Sequence, residues 1–156
     1  MNAQIGIEND KVAKTAMILN KALADEVVLY IKTRRAHWNV ESPDFYYMHK
    51  FFEDQYSQLE EMIDEVAERV RALGHYAVAR LREYLELTQF TEQSEPGNDS
   101  RTYIRDLLTT HETIIISLRK NIDHIDKDLG DSGSSDFVNN LMKAHEKKAW
   151  MLRSHL

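Results

Sequence analysis

Helical periodicity constrains this chain more than any other feature of its sequence. Through four long segments, apolar residues recur every three or four positions, the spacing that places them on one face of an α-helix. Only two prolines and five glycines interrupt the 156 residues, which excludes the many tight turns of a β-sandwich or barrel. The sequence therefore predicts an all-α fold, organised as one domain over residues 1–156.

The first two predicted helices are joined by a short turn. A lead-in over residues 1–8 precedes the first helix, which is about 28 residues long and has one charged residue, Glu26, in its apolar stripe. The second helix begins at Ser42, whose hydroxyl we expect to cap it, with Pro43 in its first position. It ends before Gly74, a residue suited to the left-handed turn that follows many helices.

The other two predicted helices follow a connection, residues 75–99, that is too long for a simple turn. Within it, the LREYLEL segment at 81–87 predicts a short helix lying across the bundle. The third long helix covers residues 100–129, and the fourth covers about residues 136–155. A four-helix bundle with one long crossover has different neighbouring helices from a bundle in which every connection is short.

The charge and the absence of cysteine exclude several classes of function. The 20 Lys and Arg residues against 26 Asp and Glu residues give a net charge of -6, which disfavours a general polyanion-binding surface. Without cysteine, any metal must be bound by histidine and carboxylate. No apolar run approaches the roughly 20 residues of a membrane span, and no signal peptide is recognisable, so we expect a cytoplasmic, soluble protein.

A candidate metal site lies between the first and second predicted helices. His37 and His49 straddle the turn, and three acids, Glu53, Asp64 and Glu68, follow on the side of the second helix that carries His49. At about 100° per residue, the four positions on this helix lie within roughly 100° of one another. Charges at the edge of an apolar stripe are costly unless they are paired or bound to metal.

The length of the second helix prevents one copy of the chain from completing this site. At about 1.5 Å per residue, His49 and Asp64 lie roughly 22 Å apart along the axis. His37 can reach His49, whereas Asp64 and Glu68 have no comparable partner in the sequence. A two-fold axis that pairs this helix with its antiparallel copy would create two identical sites of imidazole and carboxylate ligands. Such ligands suit Fe(II), Mn or Zn, of which we favour iron.

Each part of this pattern also has a simpler interpretation. Carboxylates four residues apart usually form a solvated helix face, and a lone histidine such as His37 can be a hydrogen-bonded core residue. His111, inside the apolar seam of the third helix, is predicted to be such a core residue, whereas His145 carries no signal. Only the joint pattern favours a metal site.

Several motifs resemble the Dps family, the ferritin-like mini-cage proteins named for DNA binding in starved cells. They are HWNV at 37–40, PDF at 43–45, MHKFFEDQY at 48–56, IDEVAERVRALG at 63–74 and the C-terminal residues 130–156. The resemblance covers nearly the whole chain. It implies a ferritin-like four-helix bundle with a short extra helix in the crossover between helices 2 and 3.

The resemblance also implies a function and the residues that perform it. His37 and His49 would bind iron from one subunit. Asp64 and Glu68 of its two-fold partner would complete the site, with Glu53 as an auxiliary acid. The family assembles into hollow dodecamers, oxidises Fe(II) with hydrogen peroxide in preference to oxygen, and stores the ferric product inside the cage.

Two further roles follow from the resemblance. Trp38 would intercept one-electron oxidising by-products, with simple core packing as the alternative for this side chain. Asp123, Asp126 and Asp131 would line the pores that admit iron, with an ordinary solvated acidic turn as the alternative.

Two other functions stand as alternatives. The first is a nucleoid DNA-binding and compacting protein with incidental metal binding. DNA-binding family members carry a Lys/Arg-rich N-terminal tail, whereas Lys11 and Lys14 here stand among Glu8 and Asp10, which argues against DNA binding. The second is a conventional ferritin with a di-iron site inside one bundle, a design that uses Glu-x-x-His pairs. The sequence contains no such pair.

Overall fold

The structure, a computed structural model, describes residues 3–91 and 96–156 and is helical throughout. Its elements are α1 (Asn9–Asn39), α2 (Phe45–Ala72), the short α3 (Leu81–Leu87), α4 (Ser100–Asp123), a π-helical turn (His124–Asp128) and α5 (Ser132–Arg153). The described residues contain no strand. The predicted all-α class is therefore confirmed, and the short crossover helix occupies the predicted LREYLEL segment.

The four long helices form a bundle in which sequence neighbours pair antiparallel. α1 packs along α2 and α4 along α5, while contacts of α1 with α4 and of α2 with α5 close the bundle. The backbone N–H of Glu41 donates to the carbonyl of Asn98 at 2.7 Å, so α4 begins where α1 ends. The crossover therefore returns along the full height of the bundle, as in ferritin-like folds, and α3 lies against α1 on the way.

The core is built from the predicted apolar stripes. The largest fully buried side chains come from every long helix and include Leu19, Leu23 and Leu29 of α1, Phe52 and Leu59 of α2, Ile104 and Leu107 of α4, and Leu152 of α5. Burying each such side chain contributes about 2 kcal/mol, which offsets the entropy lost on ordering the chain. No helix in the described part of the chain is long and apolar enough to cross a membrane.

Two helix starts differ from the predicted ones. Ser42 does not cap α2: its hydroxyl bonds the Asp44 carboxylate, and its carbonyl accepts from the N–H of Phe45 at 3.0 Å. The serine thus stabilises the turn before the helix. α5 begins at Ser132 because Asp131 Oδ1 accepts from the N–H of Ser134 at 2.9 Å, which recruits the predicted loop into the helix.

A buried carboxylate on α1 holds the end of the α3 segment. Asp25 accepts hydrogen bonds from the Thr88 hydroxyl at 2.7 Å, from the Gln89 N–H at 3.0 Å and from the Gln89 side-chain amide at 2.6 Å. Burial raises the pKa of Asp25, and these donors partly oppose that rise. Asn20, also on α1, anchors the same connection earlier by accepting from the N–H of Val78 at 3.0 Å.

The outer side of α1 and α3 leaves an apolar patch uncovered. Ile31, Leu81 and Leu85 expose 56%, 80% and 55% of their surface, and they line one groove with Val27 and Tyr84. A contiguous apolar surface of this kind is typical of a protein–protein contact. We call Ile31, Leu81 and Leu85 the α1–α3 patch.

Candidate metal centre

The turn between α1 and α2 brings the two predicted histidine ligands into contact. His37 lies in the last turn of α1 and His49 in the first turns of α2. Their rings stack with centroids 3.8 Å apart and planes inclined by 23°. His37 is buried, and His49 is half-buried between it and the ring of Phe45.

Each of these histidines is oriented by the backbone of the other. His37 Nδ1 donates to the carbonyl of His49 at 2.8 Å, and His49 Nδ1 donates to the carbonyl of His37 at 2.9 Å. A carbonyl accepts but never donates, so both Nδ1 atoms carry the proton. In the neutral imidazole the lone pair then lies on Nε2, which is the form in which imidazole binds a metal ion. The pair fits an iron ligand set.

Glu53 lies one helical turn after His49, as predicted. Lys50 Nζ donates to its carboxylate at 2.6 Å. The pKa of Glu53 is lowered, first by this hydrogen bond and the Lys50 charge and further by His37 and His49. The two imidazoles are thus close enough to influence the acid, and Glu53 is an anion beside the histidine pair.

Asp64 and Glu68 lie far from the histidines on the exposed surface of α2. Neither forms a hydrogen bond or ion pair with another residue of the described chain. Across residues 3–91 and 96–156, no three His, Asp or Glu side chains of one copy converge to hold a metal ion. One copy therefore presents two separated half-sites, a histidine pair and an acid pair.

Trp38 does not pack in the core, and that alternative is wrong. Its side chain is 62% exposed, and the guanidinium of Arg34 lies 4.9 Å from the ring centroid. The same guanidinium lies 4.4 Å from the centroid of Tyr56, whose ring in turn meets His37 edge-on at 5.2 Å. Trp38 is thus a surface aromatic beside the histidine pair.

The three predicted pore acids occupy different environments. Asp123, the last residue of α4, is exposed and pairs with Lys127 at 3.1 Å, and Asp126 is exposed in the π-helical turn. Asp131 is buried, caps α5 and lies 3.4 Å from Arg69 Nη2. An acid committed to these bonds is not presented to solvent, so Asp131 does not fit the predicted pore role.

A polar layer that the sequence did not predict lies inside the bundle. Glu26 Oε1 accepts from His145 Nε2 at 2.6 Å, and His145 Nδ1 lies 2.9 Å from His111 Nδ1. The predicted core position of His111 is confirmed, and burial lowers its pKa well below the usual value. Lys148 donates to Gln58 at 2.9 Å in the same region. Two sequence features pointed to this layer: Glu26 interrupts the α1 stripe, and His111 lies within the apolar seam of α4.

Comparison with known proteins agrees with the fold. Residues 16–156 match the family described as Ferritin-like domain. DNA protection during starvation protein 2 of Bacillus anthracis is 34% identical over 139 residues, which cover 89% of this chain and 94% of that protein. An uncharacterized low temperature-induced protein of Nostoc sp. is 36% identical over 152 residues, or 97% of this chain and 85% of that protein.

Solved structures agree as well. The crystal structure of the Dps protein from Vibrio cholerae O1, a member of a broad superfamily of ferritin-like diiron-carboxylate proteins, superposes with a TM-score of 0.90. It is 29% identical and covers 98% of this chain and 95% of that chain. With the family match over most of its length and the long crossover of its four-helix bundle, this chain belongs to the Dps family of ferritin-like proteins.

Proposed function

We propose that this protein oxidises Fe(II) at sites formed between two copies of the chain and stores the ferric product in a hollow, dodecameric cage. The single observation that carries the proposal is the division of the ligands on one copy into two incomplete halves. His37 and His49 offer two Nε2 atoms with no carboxylate pair, and Asp64 and Glu68 offer carboxylates with no imidazole.

A two-fold arrangement of antiparallel α2 helices joins these halves. It places Asp64 and Glu68 of the partner subunit beside the histidine pair, and symmetry repeats the site at the other end. The α1–α3 patch supports the presence of a second copy, because it leaves three large apolar side chains uncovered on a neighbouring surface. The second copy is the occupant that also completes the metal site.

The residues divide the chemistry between them. Neutral imidazoles hold Fe(II), and the carboxylates, together with Glu53, stabilise the higher charge of Fe(III). Reduction of one hydrogen peroxide molecule to two waters takes two protons and two electrons, and two Fe(II) ions supply the electrons. Oxygen is the alternative oxidant. Trp38, exposed beside the site, would intercept one-electron by-products, and Asp123 and Asp126 stay candidates for an iron entry path.

A complementation experiment tests the shared site. Variant H37A/H49A removes one half-site, D64A/E68A removes the other, and each alone should lose Fe(II)-dependent peroxide consumption. Refolding the two variants together produces heterodimers in which one site has every ligand and the other lacks both histidines and both acids. With random pairing, about a quarter of the wild-type activity should return.

The control for this experiment is variant D54A/E65A. It removes two exposed acids of α2 and should oxidise Fe(II) at the wild-type rate. If the mixed sample stayed as inactive as its components although heterodimers were detected by native mass spectrometry, the intersubunit site would be refuted.

A further inference from the structure

Arg34 is held beside the proposed site by three aromatic rings. Its guanidinium carbon lies 4.4 Å from the ring centroid of Tyr56, 4.9 Å from that of Trp38 and 5.6 Å from that of Tyr30. Arg34 Nη1 also donates to the Tyr30 hydroxyl at 3.1 Å. The faces of the guanidinium are thus covered, and only its edge can reach a further partner.

The charge of Arg34 has no anionic partner among the described residues of its own copy. Within residues 3–91 and 96–156, no carboxylate forms an ion pair with Arg34, and its buried Nε has no hydrogen-bond acceptor. A buried donor left unpaired destabilises the folded chain. A cation fixed in place by aromatic rings, with no carboxylate partner in the described chain, is prepared for an anion from outside that chain, which would meet the terminal Nη groups because Nε is enclosed.

The proposed site sets which partner residue faces this edge. In the proposed antiparallel pair, His49 faces Asp64 of the partner subunit. One helical turn forward along α2 leads from His49 to Glu53. The matching step along the partner helix runs backward, from Asp64 of the partner subunit to Glu60 of the partner subunit. Arg34 lies one turn from His37 in this same direction along the bundle, over Tyr56. Glu60 is exposed, and it makes no ion pair within the described part of the chain.

We propose that Arg34 pairs with Glu60 of the partner subunit across the two-fold axis, and that this pair sets the register of the two α2 helices. The inference rests on the proposed function, because it assumes the same antiparallel dimer. Symmetry places the pair twice in each dimer, once beside each metal site. Arg34 is therefore a positioning residue: it keeps Asp64 and Glu68 of the partner subunit level with the histidine pair.

Charge reversal tests the pair directly. Variants E60R and R34E should each weaken subunit association about tenfold or more, measured by native mass spectrometry across a dilution series. The double variant R34E/E60R restores opposite charges and should recover much of the association and of the Fe(II) oxidation rate. Recovery falls short of wild type because glutamate does not stack on Tyr56 and Trp38 as arginine does.

Glu61 provides the matched control. It is the next residue of α2 and is also exposed, but it lines a groove with Lys147 and Lys148 of α5. The variant R34E/E61R carries the same total charge as R34E/E60R and should show no recovery over R34E alone. A merely structural role for Arg34 would give the two double variants equal behaviour.

The outcomes separate the two proposals. Suppose that H37A/H49A and D64A/E68A complement each other, but E60R associates normally or R34E/E60R loses as much as the two single variants together. The Arg34 pairing is then wrong and the shared site stands. If complementation itself fails, the shared site and the pairing fall together.

Discussion

Lys148 shows how burial changes the chemistry of a single residue. Burial lowers its pKa from 10.5 to about 8, although the Glu26 carboxylate raises it in part. Between these two pH values the unfolded chain binds more protons than the folded protein, so the free energy of unfolding rises with pH. The rise should approach about 3 kcal/mol per subunit and is measurable by urea denaturation at a series of pH values.

Substitution isolates the contribution of Lys148. Variant K148M removes the buried ammonium, and its stability should no longer increase across this pH window. The exposed neighbour Lys147 is the matched control, because K147M removes a charge from the same helix in a solvated position. A pH dependence that survives in K148M would contradict the assignment.

Residues of this kind mark the limit of sequence analysis. His37 and His49 were recognisable because twelve residues and one turn separate them. Glu26 and His145 lie 119 residues apart, and their contact exists only because α1 and α5 lie diagonally opposite each other across the bundle core. The sequence shows that Glu26 interrupts an apolar stripe. It does not show which residue Glu26 contacts, because that contact depends on how distant helices pack.

At the scale of the element, α3 depends on α1 for its position. Three hydrogen bonds from Thr88 and Gln89, the two residues after α3, end on Asp25, and none of the side chains of α3 is buried. Variant D25A should therefore loosen this segment locally while the four long helices keep their protection. We expect amides of residues 81–90 to exchange about ten to a hundred times faster by hydrogen–deuterium exchange mass spectrometry.

Variant T113A serves as the comparison for this measurement. The Thr113 hydroxyl bonds a carbonyl of its own helix, so its removal should leave exchange in residues 81–90 unchanged. Equal exchange of the segment in wild type and D25A would show that Asp25 does not anchor it.

The existence of each helix was predictable, whereas some boundaries were not. The stripe of α2, its end before Gly74 and the short helix at 81–87 all follow from local pattern, and Gly74 takes the positive φ of 81° that glycine favours. The start of α5 depends on the cap that Asp131 supplies, and the start of α2 depends on the turn that Ser42 forms with Asp44 and Phe45. Ser42 was available to cap but bonds Asp44 instead, a choice between neighbouring groups that spacing does not determine.

For the whole molecule, the α1–α3 patch predicts a specific failure of assembly. Variant I31E/L81E places two charges on this surface and should shift a species near twelve subunits to smaller ones in native mass spectrometry. Both side chains are exposed in the single chain, so far-UV circular dichroism should show an unchanged helix content. An intact cage in the variant would place the subunit contact elsewhere.

The charge of the whole molecule predicts weak affinity for DNA. The net charge is -6, and Lys11 pairs with Glu8 at 3.6 Å, so the start of α1 offers little uncompensated positive charge. We expect a gel shift of linear DNA, if present at low salt, to disappear at moderate salt. A complex that persists at moderate salt would support the nucleoid-binding alternative.

Because His37 and His49 bond each other's backbone, selection for stability should retain these histidines more strongly than it retains the acids of the site. Each histidine closes the joint between α1 and α2, whereas Asp64 and Glu68 bond to nothing else in the described chain. A descendant that lost its iron chemistry could therefore replace the acids without loosening its own bundle. The histidines would be retained after the activity is lost. A relative with the histidine pair but without the two acids would therefore carry a former iron site that no longer functions.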